Sequence, residues 1–226
     1  MAVSLAHERC LWDAGATVVA GIDEVGRGAL AGPVSVGVVA LARCDAWPEG
    51  LADSKELTPA QREAMAAALA IFGVARAVGD ASNAEIDALG IIAALRVAAL
   101  RALGALAADG VTVDAILLDG RHDYLSARAP DLFASSSAGE DDAALPPVTM
   151  VVGGDALCAS IAAGSVLAKV ARDAQMRSAH EAHPQYGWAG NKGYGAPEHL
   201  DAIRRLGPTP LHRVSWKLPV RGMMDP

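Results

Sequence analysis

The sequence predicts an α/β protein with a mixed central sheet and helices packed against it. Short β-branched runs bounded by Gly and Pro, "ATVVAGIDE" and "PVSVGVVAL" first among them, read as buried strands. Two capping boxes, at Thr58 and Ser82, fall between such runs and mark helix starts. The first strands are adjacent and the later ones alternate with helices, as a mixed sheet requires. At 226 residues the chain suits one medium domain, or one domain with a small appendage.

In chain order, the two opening strands are joined by the Gly-rich "VGRGALAG". Thr58-Pro59-Ala60-Gln61 then opens a helix, with Thr58 as cap, Pro59 in the first turn and Gln61 completing the box. "IFGVARAVG" is a third strand, and Ser82-Asn83-Ala84-Glu85 starts helical structure that breaks at Gly90 and continues to Ala108. "VDAILLDG" is a short apolar strand ending in Asp119. Residues 121–146 have no hydrophobic period and read as a long mobile loop. "VTMVVGG" is the next strand, and Asp155 stands where the following helix begins. That helix, "ALCASIAAGSVLAKVARDAQMRSAHEA", is rich in small residues that allow close packing on a sheet. After the Gly-rich "YGWAGNKGYGAPEH", a short helix from Pro197 to Leu206 stops at Gly207-Pro208. There is no internal repeat.

Composition narrows the function classes. The Ala/Leu-rich stretch from Asp87 to Ala108 carries Arg96 and Arg101, so it reads as a soluble helix and no membrane association is expected. The N-terminus has charges where a signal peptide needs an apolar run, which predicts a cytoplasmic protein. Cys10, Cys44 and Cys158 are odd in number and far apart, giving neither a disulfide framework nor a zinc pattern. The net charge of −7 argues by itself against a nucleic-acid partner. Yet from Lys169 to Arg221 nine Lys and Arg stand against four Asp and Glu, so the C-terminal quarter permits a local phosphate-binding face.

Asp23 and Glu24 stand side by side in an apolar stretch, and Asp119 and Asp155 likewise follow apolar strands. An unpaired buried carboxylate costs several kcal/mol, roughly, unless it is neutralised, hydrogen-bonded or bound to metal. Strand ends in an α/β sheet collect at one edge, so these acids can converge. Mg²⁺ and Mn²⁺ take oxygen ligands, and a pair of them about 4 Å apart suits phosphodiester hydrolysis. A strand-end turn or a helix cap accounts equally for any single one of these acids, with Asp155 placed as an N-cap. The turn Gly26-Arg27-Gly28 fits neither the dinucleotide nor the P-loop pattern; it suits a tight loop whose N–H groups approach a backbone or a sugar.

Taken together, these stretches resemble the ribonuclease HII family. "GIDEVGRG" followed by "AGPV", then "DSKELTPAQRE", "LLDG", "GGDALCASIAAGSVLAKVARD", "NKGYG" and "LHRVSW" occur in the family's order from Val18 to Trp216. The resemblance implies a ribonuclease H-like fold, with a catalytic domain over residues 1–196 and a short C-terminal helical extension and tail over 197–226. It implies Mg²⁺- or Mn²⁺-dependent cleavage of RNA in RNA–DNA hybrids. It also implies cleavage at single ribonucleotides embedded in duplex DNA, leaving 3′-hydroxyl and 5′-phosphate ends. By the same resemblance Asp23, Glu24, Asp119 and Asp155 would hold the metals. Gly26, Arg27 and Gly28 would meet the ribonucleotide's backbone and 2′-hydroxyl, Tyr194 would stack on the next sugar, and Lys55 would contact a phosphate. His212, Lys169 and Asp173 are read as structural or supporting. A monomer is expected, and "LPVRGMMDP" lacks the paired aromatics of a clamp-binding peptide.

Two features depart from the family pattern. Gly153 stands where a Lys is usual, two residues before the last acid, and the stretch between Asp119 and Asp155 is longer than the norm. Two rivals share part of the pattern. Another nuclease or strand-transfer enzyme of the same fold would keep the acids without the 2′-hydroxyl-reading turn. A non-catalytic nucleic-acid-binding module would need only the basic quarter. Asp155 and Asp173 compete as the fourth acid. On one continuous helix from Gly154 the 18 residues between them would span ~27 Å, which favours Asp155.

Overall fold

The computed structural model describes residues 3–126 and 145–220. Five strands form one sheet in the order β3-β2-β1-β4-β5. They are β1 (Val18–Val25), β2 (Val34–Ala42), β3 (Ala75–Ala81), β4 (Ala115–Asp119) and β5 (Val148–Val151). β1, β2 and β3 pair antiparallel, whereas β1–β4 and β4–β5 pair parallel, so the sheet is mixed as the sequence predicts.

The helices are α1 (Ala6–Asp13), α2 (Pro59–Leu69), α3 (Asn83–Leu89), α4 (Ile91–Ala108), α5 (Ala159–Ala182), α6 (Trp188–Asn191) and α7 (Pro197–Leu206). Both predicted capping boxes are present, with Thr58 accepting from the Gln61 N–H and Ser82 from the Glu85 N–H. Gly90, at φ +80°, separates α3 from α4 as expected. α4 is apolar and long enough to cross a membrane by length and composition. It packs on the sheet instead, through Ala94, Leu95, Ala98, Ala99, Ala102 and Leu106.

Strand alternation divides the core between two faces. Ala20, Ile22, Val36 and Val38 face α4, while Val19, Val39, Leu41 and Leu117 face α5, α1 and α2. The small residues of α5 let it lie almost on the strand backbones: a Cβ at Gly37 would stand 2.1 Å from the Gly164 carbonyl oxygen. A third cluster joins Ala31 and Met176 to Tyr186, Trp188, Ala202 and Ile203, seating α7 against the end of α5. Cys10, Cys44 and Cys158 are free thiols.

Several elements differ from expectation. β3 starts at Ala75 rather than Ile71, because Gly73 takes φ +78° and turns the chain there. α1 carries no side-chain cap and was not foreseen. The helix expected from Asp155 is a 3₁₀ turn, Gly154–Ala156, followed by α5 from Ala159. The break has a cause: Ser4 pairs with the chain on both sides of Cys158, donating to the Leu157 carbonyl and accepting from the Ala159 N–H at 2.9 Å each. This holds Cys158 extended. The expected mobile loop lies, over residues 127–144, outside the described residues. Its first residues are built into the fold, with Asp123 accepting the Leu125 and Ser126 N–H groups and Tyr124 and Leu125 in the α4-side core.

Candidate active site

Asp23 and Glu24 lie within β1, not past its end, paired with Gly37 and Val36 of β2. Alternation sends them to opposite faces: Asp23 toward α5 with Val19 and Gly21, Glu24 toward the α4 side with Ala20 and Ile22. Here lies the physical reason for adjacent acids in an apolar strand. The parallel β1–β4 ladder ends at Ile22↔Leu118, so Asp23 and Asp119 are the next residues along neighbouring strands. Asp119 Oδ1 accepts the Gly154 N–H at 2.7 Å, which draws the turn bearing Asp155 onto the same edge. Gly153 opens that turn at φ +68°, a conformation that a Lys would adopt only with strain.

Charge couples the four acids. Burial, foremost, pushes Asp23 up to about 8; a Ser165 hydrogen bond opposes the rise, and Asp119, Glu24 and Asp155 add repulsion. Burial also raises Glu24, against the pull of Arg27, whose Nη1 lies 3.3 Å from Oε1. Asp119 is raised by burial and then by Asp155. Lys55 donates to Asp155 Oδ2 at 2.6 Å and lies 3.6 Å from Asp53. Hard oxygen donors whose charges repel one another fit a divalent cation. Among the described residues no three side chains form a ready metal cage. Mg²⁺ and Mn²⁺ retain waters and need few protein ligands, so the open arrangement is compatible with them.

The turn after β1 meets Tyr194 from the other end of the chain. Gly26 takes φ +85°, and its N–H donates to Tyr194 Oη at 3.1 Å. Tyr194 is 36% exposed, with its ring 5.4 Å from the Arg172 guanidinium carbon. Its carbonyl lies 2.8 Å from His199 Nδ1. Thus the edge gathers Asp23, Glu24, Asp119, Asp155 and Lys55, and the adjoining turn gathers Gly26, Arg27, Gly28 and Tyr194. Asp173 instead pairs with Lys169 at 2.7 Å within α5.

Sequence reasoning missed several residues here. Arg172 and Arg213 are fully buried beneath the turn. Ser165, hydrogen-bonded to Ser54, reaches Asp23. The Tyr124 hydroxyl is buried without a partner among the described residues, and burial, then Glu24, Asp23 and Asp119, hold its pKa well above the usual value. Arg27 lines a cleft of about 440 Å³ with Arg121, His122 and Tyr124. No local signal separates a buried arginine from a solvated one, although both arginines fell inside family-like stretches.

The ribonuclease HII family model matches residues 20–219. A ribonuclease HII of Streptomyces avermitilis is 46% identical over 202 residues, covering 89% of this chain and 78% of its own. One of Moorella thermoacetica is 45% identical over 212 residues, covering 94% of this chain and 92% of its own. Among solved structures, a PCNA:RNase HII complex from Archaeoglobus fulgidus superposes with a TM-score of 0.64 at 21% identity, covering 88% of this chain and 93% of that one.

Proposed function

The chain belongs to the ribonuclease HII family, and we propose that its sheet-edge carboxylates and the adjoining Gly-Arg-Gly turn cut the RNA strand at a ribonucleotide that the turn reads. The protein is a metal-dependent endoribonuclease, a hydrolase acting on RNA–DNA hybrids. In our reading the substrate includes duplex DNA with a single embedded ribonucleotide, and the products carry 3′-hydroxyl and 5′-phosphate ends. The observation that carries this reading is the placement of Asp23 and Asp119 at the ends of neighbouring parallel strands, with Gly26 three residues beyond Asp23 and tied to Tyr194.

Asp23, Glu24, Asp119 and Asp155 are the residues that would hold Mg²⁺ or Mn²⁺. The bound ions supply Lewis acidity for phosphodiester hydrolysis. Ser165 and the Gly154 N–H fix the carboxylates of Asp23 and Asp119. Lys55, its side chain 73% exposed, has the reach to move from Asp155 to a substrate phosphate. Gly26, Arg27 and Gly28 present backbone to the 2′-hydroxyl, the one group that separates RNA from DNA at a given site. Tyr194 offers a flat face to the neighbouring sugar.

All of these groups come from one chain, so the proposed site needs no residue from a second copy. We assign residues 1–196 to the catalytic domain and the remainder to a C-terminal extension; in it α7 packs against Tyr186 and Trp188. Free cysteines agree with a cytoplasmic location. The absence of a clamp-binding peptide from the tail remains a sequence reading, because residues 221–226 lie outside the described ones. The test is cleavage of three duplexes: all-DNA, DNA with one ribonucleotide, and RNA–DNA hybrid, each with Mg²⁺, Mn²⁺ or chelator. Cutting at the ribonucleotide, abolished by chelator and absent from all-DNA, is expected. Equal cutting of all-DNA would overturn the reading.

A further inference from the structure

We propose that Arg213 and Arg172 are positioning residues for substrate recognition, which aim the turn at residues 26–28 from beneath; the proposal rests on the reading of that turn given above. Both guanidinium groups are fully buried. Among the described residues neither is paired with a carboxylate; every hydrogen bond they make goes to a backbone carbonyl. Arg213 donates to Gly26 at 2.7 Å, Arg27 at 2.9 Å, Gly32 at 3.1 Å and Pro33 at 3.1 Å. Arg172 donates to Pro33 at 2.9 Å, Lys192 at 3.0 Å and Ala31 at 3.2 Å. Two desolvated cations without counter-ions are costly, and a fold that needed only hydrogen bonds here could have used neutral donors.

The geometry shows what the pair achieves. In a trans peptide the carbonyl of one residue and the N–H of the next point in opposite directions. With the Gly26 and Arg27 carbonyls turned down onto Arg213, the Arg27 and Gly28 N–H groups are turned up. Among the described residues those two N–H groups donate to nothing. Carbonyls polarised by a buried cation make the opposing N–H groups stronger donors. Arg172 sets the other side: it bonds the Lys192 carbonyl just before "GYG", lies over the Tyr194 ring, and occupies the space a Gly26 side chain would need, 2.0 Å from its ideal Cβ. The pair therefore ties the turn and Tyr194 into one rigid reading head. It also places positive charge under the site of a protein whose net charge is −7.

The experiment compares Arg213→Lys and Arg172→Lys with the wild-type protein on duplex DNA carrying one ribonucleotide, after thermal melting has established the folded fraction. Lys keeps the charge and loses the fork, so the expected result is a KM increase of roughly tenfold, with kcat per folded molecule much less affected. A purely structural role would lower the folded fraction and leave KM unchanged, and that outcome overturns the proposal. If neither variant folds, the Nε–H resonances of Arg172 and Arg213 in the wild-type protein decide. They should shift on adding the ribonucleotide duplex without metal and stay in place with all-DNA duplex; identical responses overturn the proposal. Failure of the wild-type protein to discriminate ribonucleotide from DNA would instead sink the functional reading beneath it.

Discussion

Tyr194 Oη accepts the Gly26 N–H at 3.1 Å, a contact that joins residues 168 positions apart. The hydroxyl thus orients the turn, while the residue stays partly exposed with Arg172 over its ring. Tyr194→Phe keeps the ring and loses one hydrogen bond worth about 0.5–1.5 kcal/mol. A fall in kcat/KM of roughly two- to tenfold on a single-ribonucleotide duplex is expected. Tyr194→Ala loses the stacking face as well and should cost more. Steady-state kinetics on the two variants check this: equal losses would show that the ring adds nothing beyond the hydroxyl, and an unchanged Tyr194→Phe that the hydroxyl contributes nothing.

Gly26 and Gly28 make a matched pair for testing the turn. A Cβ at Gly28 would meet nothing within 4 Å and Gly28 has no left-handed φ, so Gly28→Ala should melt like the wild-type protein. If substrate approaches that backbone closely, the added methyl obstructs it, and cleavage at the ribonucleotide should fall with stability intact. Gly26→Ala is different, since the residue sits at φ +85° with the Arg172 side chain in the way. It should lose stability as well, on the order of 1–3 kcal/mol. Melting curves beside cleavage rates separate the two effects.

What could be read in advance divides along physical lines. The Thr58 and Ser82 capping boxes and the break at Gly90 depend on neighbours within four residues, so they were legible. Asp23 and Glu24 stood out as acids in an apolar run, but their pattern suggested a strand end. Only pairing with Val36 and Gly37 shows that β1 runs through them. The start of α5 depends on Ser4, more than 150 positions away, and no local propensity encodes that bridge. The same holds for Arg172 and Arg213, whose partners are carbonyls of the segment from Gly26 to Pro33 and, for Arg172, that of Lys192. A charge reads as solvated until the fold wraps backbone around it.

The buried histidines predict an acid limit to stability. His212 Nδ1 accepts the Thr209 N–H at 2.8 Å, so its Nε2 carries the proton and faces His199 Nε2 at 3.1 Å. That nitrogen also accepts from Trp188 at 3.0 Å, which leaves His199 Nδ1 to donate to the Tyr194 carbonyl. The network requires both rings to be neutral. Burial, then His199, push His212 down to about 4. A base with a depressed folded pKa stabilises fully above its unfolded value of 6.5 and loses that stability as pH falls toward 4. By pH 5 the loss is on the order of 2 kcal/mol. Urea unfolding at pH 7.5 and pH 5 measures it, and His212→Gln should show a shallower dependence.

The fourth acid can be decided by substitution. Asp155 lies in the 3₁₀ turn after β5, 5% exposed, one residue from the Gly154 N–H that binds Asp119. Its charge acts on both Asp23 and Asp119. Asp173 is also buried, at 7% exposed, but it spends its carboxylate on Lys169 one helical turn away, and its field falls on Arg172 and Lys192. The ~27 Å separation expected of one unbroken helix does not carry over, because α5 starts only at Ala159. Electrostatic coupling distinguishes the two acids instead. Asp155→Asn removes the charge of a proposed metal ligand and should lower cleavage on the order of a hundredfold or more at saturating metal, with the fold intact. Asp173→Asn leaves Lys169, itself largely covered, without its counter-charge. That should cost about 1–3 kcal/mol of stability, with turnover per folded molecule near normal. Both variants are to be melted and then assayed across a metal titration. A dead but stable Asp173→Asn beside an active Asp155→Asn would reverse the assignment.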